Sequence, residues 1–511
     1  MNQASHSRIE FADNEIIAAG ALELSQWIRL RKVSCREVMS AFLDHIERMN
    51  TPVNAIVSLR ERAALLDDAA ERDAQLARRE YLGWLHGIPQ APKDLTATAG
   101  IASTHGSPIF RDEVPTADAL MAARMRTQGA IFIGKTNTPE FGLGSHTYNP
   151  VFGTTLNAYD PTRSAGGSSG GAAVALALRM LPVADGSDMM GSLRNPAGWN
   201  NVFGFRPSQG RVPSVPAAEV FYHQLSSAGP MGRTVPDVAM LLATQAGFDA
   251  RAPLSLSDDP AQFTGSLARD FSGARIGWLG DYDGYLPMED GVLALCETAL
   301  ADFEAIGCRV EPASPGYPME KLWDCWRTLR HFLVSGTLGA HYRDPARRPL
   351  LKPEAQWEVE SGLKLSGEDV WNATVARSQW YDALLALFER YDYLVLPSAQ
   401  IFPFDANERW PKSIAGRTMD TYHRWMEVVI GGTLAGLPVM CVPAGFNGHG
   451  LPMGLQVIGR PRADLAVLQL GHAYDQATQW VKRRPPAVLV EKGAGHGLCC
   501  SLATNPPEPK P

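Results

Sequence analysis

The chain has 511 residues, of which 45% are apolar and 20% charged, and a formal net charge of −7. That is an ordinary globular composition, long enough to bury a large core without covalent staples. The mild acidity argues against a nucleic-acid binder, which carries a basic surface, and the longest apolar run, 172–178, stops at Arg179, too short for a membrane span.

The opening residues, MNQASHSRIEFADNE, are polar and acidic, unlike a secretory leader. Residues 14–80 read as helices. Ser34 and Glu37 have the spacing of a capping box, in which each side chain satisfies the other residue's free N–H. Val38, Phe42, Leu43 and Ile46 follow at helical spacing, and a second helix is expected over 59–78. From Gly87 onward short β-rich runs alternate with helical ones. A helix over 117–127 precedes a strand over 130–133, and a helix over 172–178 follows a glycine loop. Further strands are expected at 275–279, 393–396, 438–442 and 454–458. Helices are expected over 291–306 and 465–479, the latter capped by Asp464. Residues 316–425 read as helical and tryptophan-rich, and the Pro-rich end as a solvated tail. Strands alternating with helices predict an α/β fold with helices covering a sheet. Seven cysteines, an odd number without zinc-ligand spacing, suit a reduced, cytoplasmic setting.

Three segments point to chemistry. Gly166-Gly167-Ser168-Ser169-Gly170-Gly171 and Asp185-Gly186-Ser187-Asp188-Met189-Met190-Gly191-Ser192-Leu193-Arg194-Asn195-Pro196 place serines beside exposed backbone N–H groups, which offers a nucleophile together with an anion cradle. A flexible linker is the plain alternative for Gly/Ser clusters, but these loops flank an apolar helix and enter apolar strands. Lys93, in Gly87-Ile88-Pro89-Gln90-Ala91-Pro92-Lys93-Asp94, sits in an apolar, proline-rigid surround. A lone lysine is usually surface charge, yet a buried one loses its proton readily and becomes a base.

Taken in order, these segments resemble the amidase signature family. Ser168 and Ser192 stand 24 residues apart, as the family pattern requires. Supporting blocks are 134–137 with 139–142, 204–207, 229–231 with 233–234, and, near the end, 436–438, 454–456 and 459–461. The resemblance covers roughly residues 20–485 and is weakest over 310–425. It implies a large mixed, twisted central sheet covered on both faces by helices, in a single catalytic domain. Residues 1–80 would be helices packing on a catalytic core of 81–310, 311–425 a variable helical pocket region, 426–485 the rest of the core and 486–511 a tail.

The resemblance also implies roles. Ser192 is the nucleophile, Ser168 a relay held by a cis peptide, and Lys93 the general base. The oxyanion hole falls on the backbone N–H groups of Met189, Met190, Gly191 and Ser192. Asp188 and Arg194, with Gly167 and Ser169, support the loops; an ordinary buried ion pair is the alternative for the first two. The arrangement has a physical reason. Free serine needs a base within hydrogen-bond reach, and lysine at its usual pKa of ~10.4 is almost never neutral at pH 7, so desolvation must lower it. No metal and no cofactor is called for.

Two positions depart from the family pattern. Met190 stands where a glycine is common, which raises the question of a positive φ and of intrusion into the acyl pocket; Asn200 stands where many relatives carry cysteine. His146, His223 and His423 are expected as polar or rim residues rather than triad members.

The substrates implied are small neutral, hydrophobic or aryl amides, with esters and carbamates as alternatives. The Met-Met variant resembles a subgroup that includes enzymes acting on nylon-type oligoamides and urethanes. Trp323, Trp326 and Tyr381 are candidate pocket contacts, with core packing as the alternative. No nucleic-acid or membrane partner is expected, and a homodimer is compatible with the resemblance. A rival reading is the amidase subunit of a tRNA-dependent amidotransferase. Residues 129–136 also fit the spelling of a phosphate-binding loop ending in Lys135-Thr136, but the middle positions are themselves an apolar strand, the wrong context.

Overall fold

The computed structural model describes residues 13–222 and 224–490. Local signals set the first helices. Ser34 and Glu37 complete both halves of the capping box, and helix Cys35–Met49 buries Val38, Phe42, Leu43 and Ile46 as their spacing predicts. The next helix, Arg62–Ala77, begins three residues later than expected.

Eight strands form the central sheet. They are β1 Val183–Asp188, β2 Phe203–Arg206, β3 Ser227–Gly232, β4 Arg275–Trp278, β5 Arg309–Pro312, β6 Tyr393–Pro397, β7 Val439–Phe446 and β8 Pro452–Gly459. Their spatial order is β5-β4-β6-β8-β7-β2-β3-β1. β4 pairs in parallel with β5 and β6, and every other neighbour is antiparallel. The sheet is therefore mixed. Helices lie on both faces because side chains alternate along a strand. In β7, Met440 meets Gly471 of helix Asp464–Thr478, whereas the adjacent Cys441 faces Gly454 at its contact with Gly198 of helix Asn195–Trp199.

The strand expected over 130–133 forms as Ile131–Phe132, outside the central sheet: it pairs in parallel with Pro89–Gln90, and the nearby Lys135–Thr136 pairs with Ile56–Val57. One expectation is corrected. Asp464 is not a cap. It is the first helical residue, and its carboxylate is drawn to distant partners, the Ser208 N–H at 2.7 Å and Arg211 at 3.1 Å.

Helices Met319–Arg343, Pro353–Gly362 and Gly367–Phe388 pack together before the chain re-enters the sheet as β6. Among the described residues no helix is long and apolar enough to cross a membrane. Most of the expected tail, 491–511, lies outside the described residues, as do Cys499 and Cys500. The other five cysteines are buried and unpaired.

Candidate active site

β1 is the edge strand of the sheet, and the site is built where it ends. Asp188, its last residue, turns into the sheet's interior. Its carboxylate accepts the N–H of Gly191 at 2.9 Å and of Leu193 at 3.0 Å, closing the turn that carries Ser192. Arg194 reaches it at 2.8 Å and Arg206 at 3.5 Å, all three side chains being fully buried. Burial alone would raise the Asp188 pKa; the two guanidiniums and the Leu193 N–H hold it well below the usual carboxylate range. Arg194 also donates to Val429 O, Gln456 Oε1 and Thr433 Oγ1, which ties the turn to β8 and to helix Ile430–Leu434.

The left-handed residue of this turn is Gly191, at φ +77°, where a Cβ would meet Val429 at 2.9 Å. Met190 is outside the left-handed region, and its side chain is buried in the main apolar cluster. The methionine therefore fits the turn without positive φ. Of the four amides expected to form an oxyanion hole, that of Gly191 is held by Asp188, while those of Met189, Met190 and Ser192 have no acceptor among the described residues.

Ser168 and Ser169 lead into helix Gly170–Ala177. The Gly167–Ser168 peptide is cis, and Gly167 N–H donates to Asn195 Oδ1 at 3.3 Å. Gly171 lets the helix start lie against other main chain: a Cβ there would stand 2.4 Å from Asn137 N. Ser169 N–H donates to Ser192 O at 3.3 Å, which joins the two serine segments through their backbones. No hydrogen bond joins the Ser168 and Ser192 hydroxyls, and Ser192 Oγ has no partner among the described residues.

Lys93 is delivered by the small ladder: Asp94 N–H donates to Thr136 O, and Thr136 N–H to Pro92 O. Its side chain is fully buried. Nζ lies 2.7 Å from Ser168 Oγ, 2.9 Å from Ser169 Oγ and 3.2 Å from Ser187 Oγ. Desolvation lowers its pKa to about 7, against the opposing pull of Asp188 and Asp185. An amine with this proton affinity, bonded to hydroxyls, can take a proton from a serine and return it.

Comparison with known proteins agrees with this geometry. The Amidase family profile matches residues 37–468. The chain belongs to the amidase signature family. It is 33% identical over 483 residues to an acylamidase of Rhodococcus erythropolis, covering 92% of this chain and 98% of that one. It is 32% identical to one component of the glutamyl-tRNA(Gln) amidotransferase of Thermosynechococcus vestitus, covering 91% and 98%. Among solved structures, a bacterial aryl acylamidase of the same family superposes with a TM-score of 0.85 at 28% identity, covering 94% of this chain and 99% of that one. The protein is thus an amidase, a hydrolase of carbon–nitrogen bonds other than peptide bonds.

Other expected residues of the amidase are placed as follows. Trp323 and Trp326 are buried in the main apolar cluster, so core packing is their role. Tyr381 is half-buried and lines a cavity of about 630 Å³ that also touches Leu95, Val212 and Ser187, the last being a neighbour of Lys93; Ser168 and Ser192 are not among its lining residues. His146 is occupied by Ser164 Oγ at 2.7 Å and Ala406 O at 3.1 Å, and His423 packs against Trp323; neither bonds to a catalytic serine. His223 lies outside the described residues. Asn200 donates to Ala165 O and Pro196 O, a structural role. Lys135 is no phosphate ligand: its buried Nζ donates to Thr96 O and Thr98 Oγ1.

Asp185, Ser187, Asn195 and Arg206 lie within the motif blocks read from the sequence, but sequence reasoning gave them no role. The first two were readable from period-two alternation; the others depend on distant contacts. It also missed how the helical region touches the site. Lys352 Nζ donates to Leu143 O, supporting the segment whose Gly142 approaches Ser168 so closely that a Cβ would lie 3.4 Å from Oγ. Arg330, ion-paired to Glu358, extends Nη1 to Met189 Sδ at 3.6 Å.

Proposed function

We propose that this amidase hydrolyses small, neutral amides bearing an apolar or aryl group, through an acyl-enzyme on Ser192. Ser192 Oγ attacks the carbonyl carbon as its proton passes to Ser168 Oγ, and the Ser168 proton passes to neutral Lys93 Nζ. The tetrahedral oxyanion is met by the amides of Met189, Met190 and Ser192. The C–N bond then breaks, and the amine leaves with the proton returned from Lys93 through Ser168. Water repeats the sequence on the acyl-ester, releasing the acid and free Ser192.

The observation that carries this reading is the buried Lys93 amine 2.7 Å from Ser168 Oγ. With a pKa of about 7, roughly half of it is neutral at pH 7, against about one in 3,000 at the usual lysine value. The acylamidase and aryl acylamidase relatives support the substrate class. A hydroxyl-to-hydroxyl link from Ser192 to Ser168 would tighten when substrate binds, since catalytic contacts in ligand-free sites are often loose.

The test is chromophore release from a nitroanilide, a nitrophenyl ester and an aryl carbamate by wild type and Ser192→Ala. Activity that is lost in the variant supports the nucleophile, and the ranking of the three substrates decides between amidase, esterase and carbamate-cleaving specificity. Full activity in the variant refutes it. A second reading is favoured by the amidotransferase relatives: the protein would supply ammonia to a misacylated tRNA as one member of a complex. Ammonia-dependent amidation in the presence of partner proteins, with no turnover of the three chromogenic substrates, would select that reading.

A further inference from the structure

Asp185 is fully buried beside Lys93 and takes no part in the proton transfers above. Alternation along β1 sends residues 185 and 187 to one side and 188 to the other. Ser187 Oγ meets Lys93 Nζ at 3.2 Å, and Asp185 Oδ2 accepts the Lys93 main-chain N–H at 3.2 Å, whereas Asp188 turns to its two arginines. The other carboxylate oxygen, Asp185 Oδ1, accepts no hydrogen bond among the described residues. Burial raises the Asp185 pKa to about 6, opposed by the Lys93 main-chain N–H and by the charges of Lys135 and Lys93 that face it.

The remaining groups around Lys93 act differently. Asp188, on the same strand, also pulls on the Lys93 charge, but its carboxylate is shared with Arg194 and Arg206 and makes no bond to Lys93. The Ser168–Ser169 turn brings hydroxyls without charge. Asp94, next in the chain, is held by Thr104 and the N–H of Gly106 and faces Lys135. Lys135, from the small ladder, is the second cation, opposed by Asp94, Asp185 and Asp118. Asp185 is the carboxylate bonded to Lys93 itself, and among the described residues no arginine pairs with it.

We propose that Asp185 is a positioning residue for Lys93: its carboxylate anchors the lysine main chain and supplies a negative field that retains a proton on the lysine side chain. The inference rests on Lys93 being the base. In this role Asp185 opposes the effect of burial and keeps the lysine basic enough to accept the serine proton.

The test is kcat/KM against pH for the full-length protein, with the nitroanilide as substrate, in wild type, Asp185→Asn and Asp185→Glu. Asparagine keeps an oxygen for the Lys93 N–H and removes the charge; the acid limb is expected to move down by roughly 1–3 pH units, the usual effect of a close opposite charge. Asp185→Glu keeps the charge and is expected to keep the wild-type limb. Coincident limbs in wild type and Asp185→Asn overturn the proposal. Should the asparagine variant not fold, Asp185→Ser is read in the same way. Failure of the base assignment is read separately: Lys93→Ala retaining full activity, or a wild type with no acid limb, would remove Lys93 as the base and Asp185's role with it.

Discussion

Asp188 and Arg194 meet at 2.8 Å with neither side chain exposed, and the same carboxylate holds the amides of Gly191 and Leu193. One residue thus folds the turn that carries Ser192 and anchors it to the sheet. Removing one partner of such a pair strands a buried charge. Arg194→Met is expected to lower the unfolding free energy by about 3–5 kcal/mol, measured in denaturant at pH 7. The folded Asp188 pKa lies below its ordinary value of 3.8. Its contribution is therefore complete above that value and is lost as pH falls toward the folded value. Wild-type stability should fall with acid over this range more steeply than that of Arg194→Met.

Lys93 gives the opposite sign. Its folded pKa of about 7 lies below its ordinary value of 10.5, so unfolding takes up a proton between those values. Its burial penalty is fullest below pH 7 and fades as pH rises to 10.5. Stability should therefore gain from Lys93 across that window, and Lys93→Met should flatten the gain. In wild type, kcat/KM should fall as pH drops below about 7; a flat profile from pH 5 to 9 would contradict it.

Gly191 and Met190 should respond differently from what a glycine-rich motif suggests. Gly191→Ala meets both a left-handed φ and Val429, and is expected to destabilise by more than ~1 kcal/mol and to depress kcat. Met190→Ala empties a buried position and is expected to cost about 2–5 kcal/mol, with the turn's backbone unchanged. Thermal unfolding and single-turnover kinetics on both variants separate the two effects.

Trp326→Ala is expected to cost about 3–5 kcal/mol of stability because its ring lies wholly within the core. Tyr381→Ala, at a half-buried ring packed on the edge of the core, is expected to cost less than Trp326→Ala and to raise KM for aryl substrates. Unchanged KM across substrates of different size would remove Tyr381 from the binding surface.

The catalytic segments were legible because their signal is local: Gly and Ser in fixed spacing, and a lysine in a rigid apolar setting. The α/β class was legible from alternating elements. Other features were not local. Aromatic residues on a core helix and on a pocket wall share one sequence pattern, so Trp326 and Tyr381 could not be separated before their burial was seen. Asp464 stands where a cap belongs, but Ser208 and Arg211, more than 200 residues away, claim its carboxylate. The apolar run 130–133 reads as a buried strand, but its partner is not readable locally; its pairing with Pro89–Gln90 shows it to be the bracket that presents Lys93.

Lys352 and Arg330 reach Leu143 and Met189 from a stretch of chain that supplies none of the proposed catalytic side chains. The helices between 319 and 388 therefore meet the proposed catalytic turns through two side chains, so a change of substrate wall has two fixed points to respect. A chimera carrying that stretch from the acylamidase relative, with both side chains kept, should change its preferred substrate and retain the acid limb of this protein.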